Sequence, residues 1–428
     1  MRLTLGTARR AYANFRQFST PCHFFSWTAS LSTAPAQRFA TQTVRQFGIK
    51  DIKRNMKRIE SLTFLRFIAA LIVVVFHFGR NTSLAKSASP FITSGPQMVS
   101  LFFVISGFVM MVAHYEKNDE TFTSYYIKRV ARIVPIYLIA LSLATYSFYN
   151  NSSKNNSIAL FLALTFLQSW FPPYPLSLNG PAWSLSVEAF FYLTFPFILF
   201  GIKKSNISWK KIAILSFLLY CFTQVFLSNL LSNGFYSGFP SPSHDLIYYF
   251  PLSHYCSFLL GVSGGFIYVE NTNWFNKKGF LPFTVLILVF SLNYLALQRP
   301  DVISRLIGYP LAFGSSFYSL LFIFLILSLA YSGSAITRIM STPFLVLLGE
   351  SSYSLYILQK PVQHIYTKYI LKYLAVNNPD EEFYILVFLL ICISVASYHF
   401  VEKPGKRLIL VLYEFIRKWR NEKNHSTI

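Results

Sequence analysis

Apolar runs recur along the chain from residue 62 to residue 401, and most have the length that a helix needs to cross a hydrocarbon core of about 30 Å. Eleven segments stand out, near 62–79, 97–114, 132–149, 157–171, 182–201, 212–231, 250–269, 280–297, 309–331, 344–372 and 383–401. In lipid every backbone N–H and C=O must find a partner within the protein, so runs of this length read as helices. The pattern predicts an all-α, polytopic membrane helix bundle.

The charges between the runs decide how many of them cross. Lys and Arg accumulate in cytoplasmic loops, and Lys53, Arg54, Lys57 and Arg58 precede the first run while Lys117, Lys128, Arg129 and Arg132 follow the second. If 157–171 crossed fully, the loops holding Lys203, Lys204, Lys210 and Lys211, then Lys277 and Lys278, and the tail from Lys403 to Arg420 would all face outward. Taken as a re-entrant or partial helix, 157–171 leaves ten crossings and puts every basic cluster inside. It is also short and runs into Trp170-Phe-Pro-Pro-Tyr-Pro, a stretch that suits irregular backbone sheltered by protein. The expectation is ten transmembrane helices, one partial helix and both termini cytoplasmic, with the acidic loop at Asp380 outside.

Composition supports a lipid solvent. Of 428 residues 54% are hydrophobic and 13% charged, against roughly a quarter charged in soluble domains. The net charge of +22 would suggest nucleic acid in a soluble protein, but here it fits cytoplasmic loops beside anionic headgroups. Cys22, Cys221, Cys256 and Cys392 have neither paired nor metal-ligand spacing, so neither a disulfide framework nor a metal site is expected. Residues 1–55 form a basic extension that contains no acid before Asp51. Two readings of it stand side by side: an organellar transit peptide, or a segment preceding a natural start at Met56. The membrane domain is expected over 56–408, with a basic cytoplasmic tail over 409–428.

A charge at bilayer depth is costly and marks a functional site by default. Arg66 and His77 are eleven positions apart in the first run. Eleven residues make almost three turns, so both face the same way, roughly 16 Å apart along the axis. A fixed cation at one end suits a donor's phosphates, and a neutral imidazole at the other suits removal of a proton from a hydroxyl. Against this stand snorkelling for Arg66 and a structural hydrogen bond for His77. Glu188, in Trp183-Ser-Leu-Ser-Val-Glu188, counts to a depth similar to His77, where a carboxylate orients an imidazolium or binds sugar hydroxyls; a structural ion pair is the alternative. Arg129 and Arg132 are neighbours on one helix face, as a phosphate clamp or as ordinary membrane anchors. Ser106-Gly107 reads as a close helix contact.

Taken together, the chain resembles the acyltransferase 3 family of membrane O-acyltransferases, which modify surface glycans. The resemblance rests on Arg66 and His77, Phe102-Phe-Val-Ile-Ser-Gly-Phe108, Arg129-Val-Ala-Arg132, Trp183 to Glu188 with Phe191-Tyr192, Ser352-Tyr-Ser-Leu-Tyr356, and Val401-Glu-Lys-Pro404. It implies ten membrane helices and transfer from acyl-CoA, most simply acetyl-CoA, as co-substrate to a carbohydrate or glycolipid, with no permanently bound cofactor. It also implies His77 as catalytic base, Glu188 as acidic partner, Arg66, Arg129 and Arg132 as donor-phosphate contacts, and a plasma membrane location unless 1–50 is a transit peptide. Two positions depart from the family pattern: Gln359 stands where a histidine is common, and Ala189 where a second acid is common. A transporter or flippase using the same polar residues is the alternative; no internal repeat supports it.

Overall fold

The structure, a computed structural model, describes residues 60–117, 120–149, 156–271, 280–374, 376 and 378–425. Of the chain's two compact units, Met1–Lys53 lies outside the described residues, and the other, Arg54–Ile428, holds every described element. The expectations placed on residues 1–55 and on Lys57, Arg58, Lys277 and Lys278 also fall outside the described residues.

The described residues form helices and turns, with no strand among them. In chain order the main helices are α1 (Glu60–Phe78), α2 (Gly95–His114), α3 (Phe122–Tyr149), α4 (Asn156–Leu164), α5 (Trp183–Lys204), α6 (Trp209–Ser232), α7 (Pro251–Glu270), α8 (Phe280–Gln298), α9 (Pro300–Ile307), α10 (Ser319–Tyr331), α11 (Pro343–Glu350), α12 (Ser352–Ile365), α13 (Pro379–Ser397) and α14 (Lys403–His425). Among the described residues, six continuous helical stretches are long and apolar enough to cross a bilayer: Glu60–Phe78, Gly95–His114, Gly180–Lys204, Trp209–Ser232, Pro242–Glu270 and Pro379–Lys423. The chain is thus an integral membrane helix bundle. Of the other expected crossings, 132–149 lies in the continuous 28-residue helix α3, and the rest are bent, short or interrupted. Helices α8 and α9 meet at 84°, α10 has 13 residues, and 344–372 divides at Ser351 and again at a π-helical turn, Tyr366–Ile370.

The segment expected to be a partial helix is one. Helix α4 has nine residues, about 14 Å at 1.5 Å each, and Phe166 then turns the chain at φ 56°. The polar residues Gln168, Ser169 and Asn179 of the loop after this turn are buried in protein. Gln168 Nε2 donates to the Ala182 carbonyl at 2.8 Å, Ser169 Oγ to the Trp183 carbonyl at 2.8 Å, and Asn179 Nδ2 to the Ile357 carbonyl at 2.9 Å. Side chains thereby take up backbone carbonyls exposed by irregular chain, which lipid could not do. Helix α5 consequently starts inside the protein, at a short 3₁₀ turn over Gly180–Ala182.

Helices α2 and α7 form the tightest pair. A Cβ on Gly107 would lie 2.1 Å from the Phe258 carbonyl oxygen, and one on Gly261 would lie 2.1 Å from that of Val104. Glycines here remove the side-chain layer between the two backbones, as small residues do where no hydrophobic effect drives helices together. The expected close contact at Gly107 is found. Helix α6 faces outward: only 28% of its apolar stretch is buried, leaving Phe222, Val225 and Phe226 exposed to lipid, whereas 72% of the stretch containing α7 is covered. Helix α13 is capped by Asn378, whose side chain accepts from the Asp380 N–H, with Pro379 opening the helix and Asp380, Glu381 and Glu382 in the first turn. Asp380 Oδ1 also accepts from the Ser83 N–H at 2.8 Å, tying this end to the loop after α1.

Candidate active site

Both polar residues of α1 face protein and not lipid, each into its own cavity. Arg66 lines a cavity of about 270 Å³, together with Ser106 of α2, Arg129 and Arg132 of α3, Glu188 and Tyr192 of α5, Glu350, Tyr353 and Tyr356 of α11 and α12, and Glu402, Lys403 and Lys406. His77 lines a second cavity, of about 690 Å³, with Arg80, Trp183, His244, Tyr248, Tyr249, Tyr356, Lys360 and His364. Tyr356 lines both, and its ring packs edge-on against Phe102 with centroids 5.6 Å apart.

The His77 ring is held by one hydrogen bond whose direction can be deduced. Its Nδ1 lies 2.8 Å from Gln359 Oε1, and Gln359 Nε2 donates to the Tyr356 carbonyl at 2.7 Å. Gln359 is fully buried. A reversed amide would set two acceptor oxygens against each other at Tyr356, so Oε1 must face the imidazole. That oxygen can only accept, hence Nδ1 carries the proton and Nε2 keeps its lone pair. Phe76 and Phe78 flank the ring with centroids at 5.3 and 5.8 Å. In the neutral ring this contact fixes the tautomer and leaves Nε2 as the basic nitrogen, which is what removal of a hydroxyl proton requires. Gln359→Leu is expected to cut turnover about tenfold or more by releasing the tautomer; steady-state kinetics of the variant check this.

In the first cavity the charges are interleaved. Glu188 accepts from Ser106 Oγ at 3.3 Å and from the Tyr192 hydroxyl. Glu402 accepts from Ser354 Oγ. The Arg129 guanidinium lies 3.0 Å from His114 Nε2 and 5.5 Å from the centroids of Tyr125 and Tyr192, while its Nε finds no hydrogen-bond partner among the described residues. Five cations (Arg66, Arg129, Arg132, Lys403, Lys406) face three carboxylates (Glu188, Glu350, Glu402). Arginine forks so placed match phosphate oxygens.

Structure and sequence therefore agree that Arg66, Arg129 and Arg132 converge, but the structure separates Glu188 from His77, which the sequence reading set at one depth. Glu188 lines the arginine cavity, and the group on the imidazole is Gln359. The buried start of α5 explains the difference: depth counted from the first residue of a helix assumes that the helix begins at the membrane surface. Sequence reasoning assigns no site role to Arg80, His244 or His364. Arg80 had a signal, one helical turn beyond His77; the histidines had none. No group of three or more potential metal ligands occurs among the described residues.

An acyltransferase domain matches residues 59–399, which is most of the chain and includes Arg66, His77, Arg129, Arg132, Glu188 and Gln359. The chain belongs to the acyltransferase 3 family. Curated members similar to it include a Staphylococcus aureus (strain COL) protein named as an O-acetyltransferase, 24% identical over 374 residues, covering 83% of this chain and 58% of the relative. A Bacillus subtilis (strain 168) protein named as a peptidoglycan O-acetyltransferase is 24% identical over 384 residues, 82% of this chain and 55% of its own. An acyltransferase of Streptomyces mycarofaciens is 34% identical over a shorter stretch of 151 residues, 32% of this chain and 38% of its own. The chain thus spans little more than half the length of the S. aureus and B. subtilis family members. No solved structure matches it.

Proposed function

We propose that this acyltransferase 3 chain moves an acyl group, most simply acetyl, from acyl-CoA to a hydroxyl of a carbohydrate or glycolipid. The observation that carries the reading is the pair of cavities served by one helix, with a phosphate-matching arginine cluster at Arg66 and a tautomer-fixed imidazole at His77. In this reading Arg66, Arg129 and Arg132 hold donor phosphates, and the acyl thioester reaches past Tyr356. The smaller cavity suits the donor's extended arm, with the nucleotide near its mouth at Lys403 and Lys406. His77 Nε2 takes the proton of the acceptor hydroxyl as its oxygen attacks the thioester carbonyl. The tetrahedral adduct then expels the thiolate, which takes up that proton, giving ester and free thiol. Glu188 balances the arginines and holds their positions through Ser106 and Tyr192.

The basic residues beside the arginine cavity, Lys203 and Lys204 ending α5 and those of α14, favour the cytoplasmic side of the plasma membrane for that cavity, where acyl-CoA is found. The relative named for peptidoglycan acetylation supports a carbohydrate acceptor on the other side. The test is transfer of label from acetyl-CoA to glycan and lipid pools by membranes carrying the chain, compared with membranes carrying His77→Ala; equal labelling in the two would refute the reading. Arg66→Gln combined with Arg132→Gln is expected to raise KM for acyl-CoA about tenfold or more, because each charge-assisted hydrogen bond contributes about 1.5–3 kcal/mol. Donor-saturation kinetics check it.

A further inference from the structure

The larger cavity has a charge pattern that acyl transfer to an ordinary hydroxyl does not require. Its lining includes two permanent cations, Arg80 and Lys360, and three histidines, His77, His244 and His364, with no aspartate or glutamate. Asp245 lies behind His244, with Nδ1 and Oδ1 3.9 Å apart, outside the lining. Neither cation is held by an acid within salt-bridge distance among the described residues. The Arg80 Nε donates to the Phe76 carbonyl at 3.0 Å with its guanidinium 4.1 Å from the Phe76 ring centroid, and Lys360 Nζ lies 5.4 Å from that of Phe78. Those two rings flank His77. The cations are therefore stationed on either side of the imidazole, each steadied over a ring face that leaves its remaining donors free. The rings of Trp183 and Tyr249, tilted against each other with centroids 5.0 Å apart, also line this cavity.

We infer that the acceptor is anionic: a glycan or glycolipid that carries a carboxylate, phosphate or sulfate close to the hydroxyl that is acylated, bound between Arg80 and Lys360. This rests on the acyl-transfer reading and narrows its substrate class. Both cations are exposed and keep donors that no acid of the described residues takes up, so an anionic acceptor gains from both at once where a neutral sugar gains from neither charge.

The test compares membranes carrying the wild-type chain, His77→Ala, Arg80→Gln/Lys360→Gln and Arg80→Lys/Lys360→Arg. Mass spectrometry of glycan and lipid fractions identifies acylated species that vanish with His77→Ala, and each is passed over an anion exchanger. The expected result is retention of those species, at least a tenfold fall in their yield in the double glutamine variant, and recovery in the charge-conserving one. Phosphatase treatment separates the sources: retention lost afterwards marks a phosphomonoester, and retention kept marks a carboxylate, sulfate or phosphodiester. An acylated product eluting with the neutral fraction, or a yield unmoved by the double glutamine variant at equal protein level, would overturn the inference and leave the acyl-transfer reading standing. Absence of any His77-dependent acyl mass would overturn both.

Discussion

Replacing His77 by alanine is expected to lower acyl transfer by about 10²- to 10⁴-fold, the range that a positioned general base contributes. The loss should fall on kcat. The imidazole lies in the larger cavity, while the arginines assigned to the donor line the smaller one, so KM for acyl-CoA should move little. Folding should also survive. The His77 ring makes one hydrogen bond, to Gln359, and truncation opens the space onto an existing cavity, so nothing around it has to collapse. The measurement is initial rates with labelled acetyl-CoA on purified protein in lipid discs, with thermal unfolding in parallel. An unchanged rate would remove His77 from the chemistry.

A second large effect concerns assembly. Gly261→Val is expected to destabilise the bundle by about 3 kcal/mol or more, or to prevent folding, because the new Cβ would stand 2.1 Å from the Val104 carbonyl oxygen. The obstacle is backbone, so α2 and α7 must move apart, taking Ser106 away from Glu188 and disturbing the arginine cavity. Gly201→Ala is the matched control. No atom lies within 4 Å of the added methyl there, and alanine favours helix by about 1 kcal/mol over glycine. Fluorescence-detected size exclusion after a heating series should show Gly261→Val lost first and Gly201→Ala at or above the wild-type midpoint.

Much of the site could be read from the sequence because helical spacing is reliable in lipid. The eleven positions between Arg66 and His77 did place both on the inner face of α1, and the three between Arg129 and Arg132 did place both in one cavity. The nature of 157–171 was legible too, since a short apolar run leading into prolines has no way to finish a crossing. Properties set by contacts distant in the chain were hidden. Gln359 reaches His77 across 282 positions, and nothing in either segment announces the other. Glu188 was misplaced in depth because helix α5 begins at a buried turn, and the polar side chains that make such a turn possible, Gln168, Ser169 and Asn179, look like ordinary loop residues until their carbonyl partners are known. Segments 309–331 and 344–372 read as single spans by hydropathy, yet the chain breaks them, since average apolarity says nothing about where a helix pauses.

The shared wall at Tyr356 has a consequence for the membrane as a whole. Two cavities that approach each other inside a bilayer form most of a pore, and a cell holding such a protein must keep protons and ions from following the route proposed for the acyl group. A single phenol ring set edge-on against Phe102 stands where the two cavities meet. On the proposed route this ring is the point at which passage of a thioester has to be reconciled with electrical insulation.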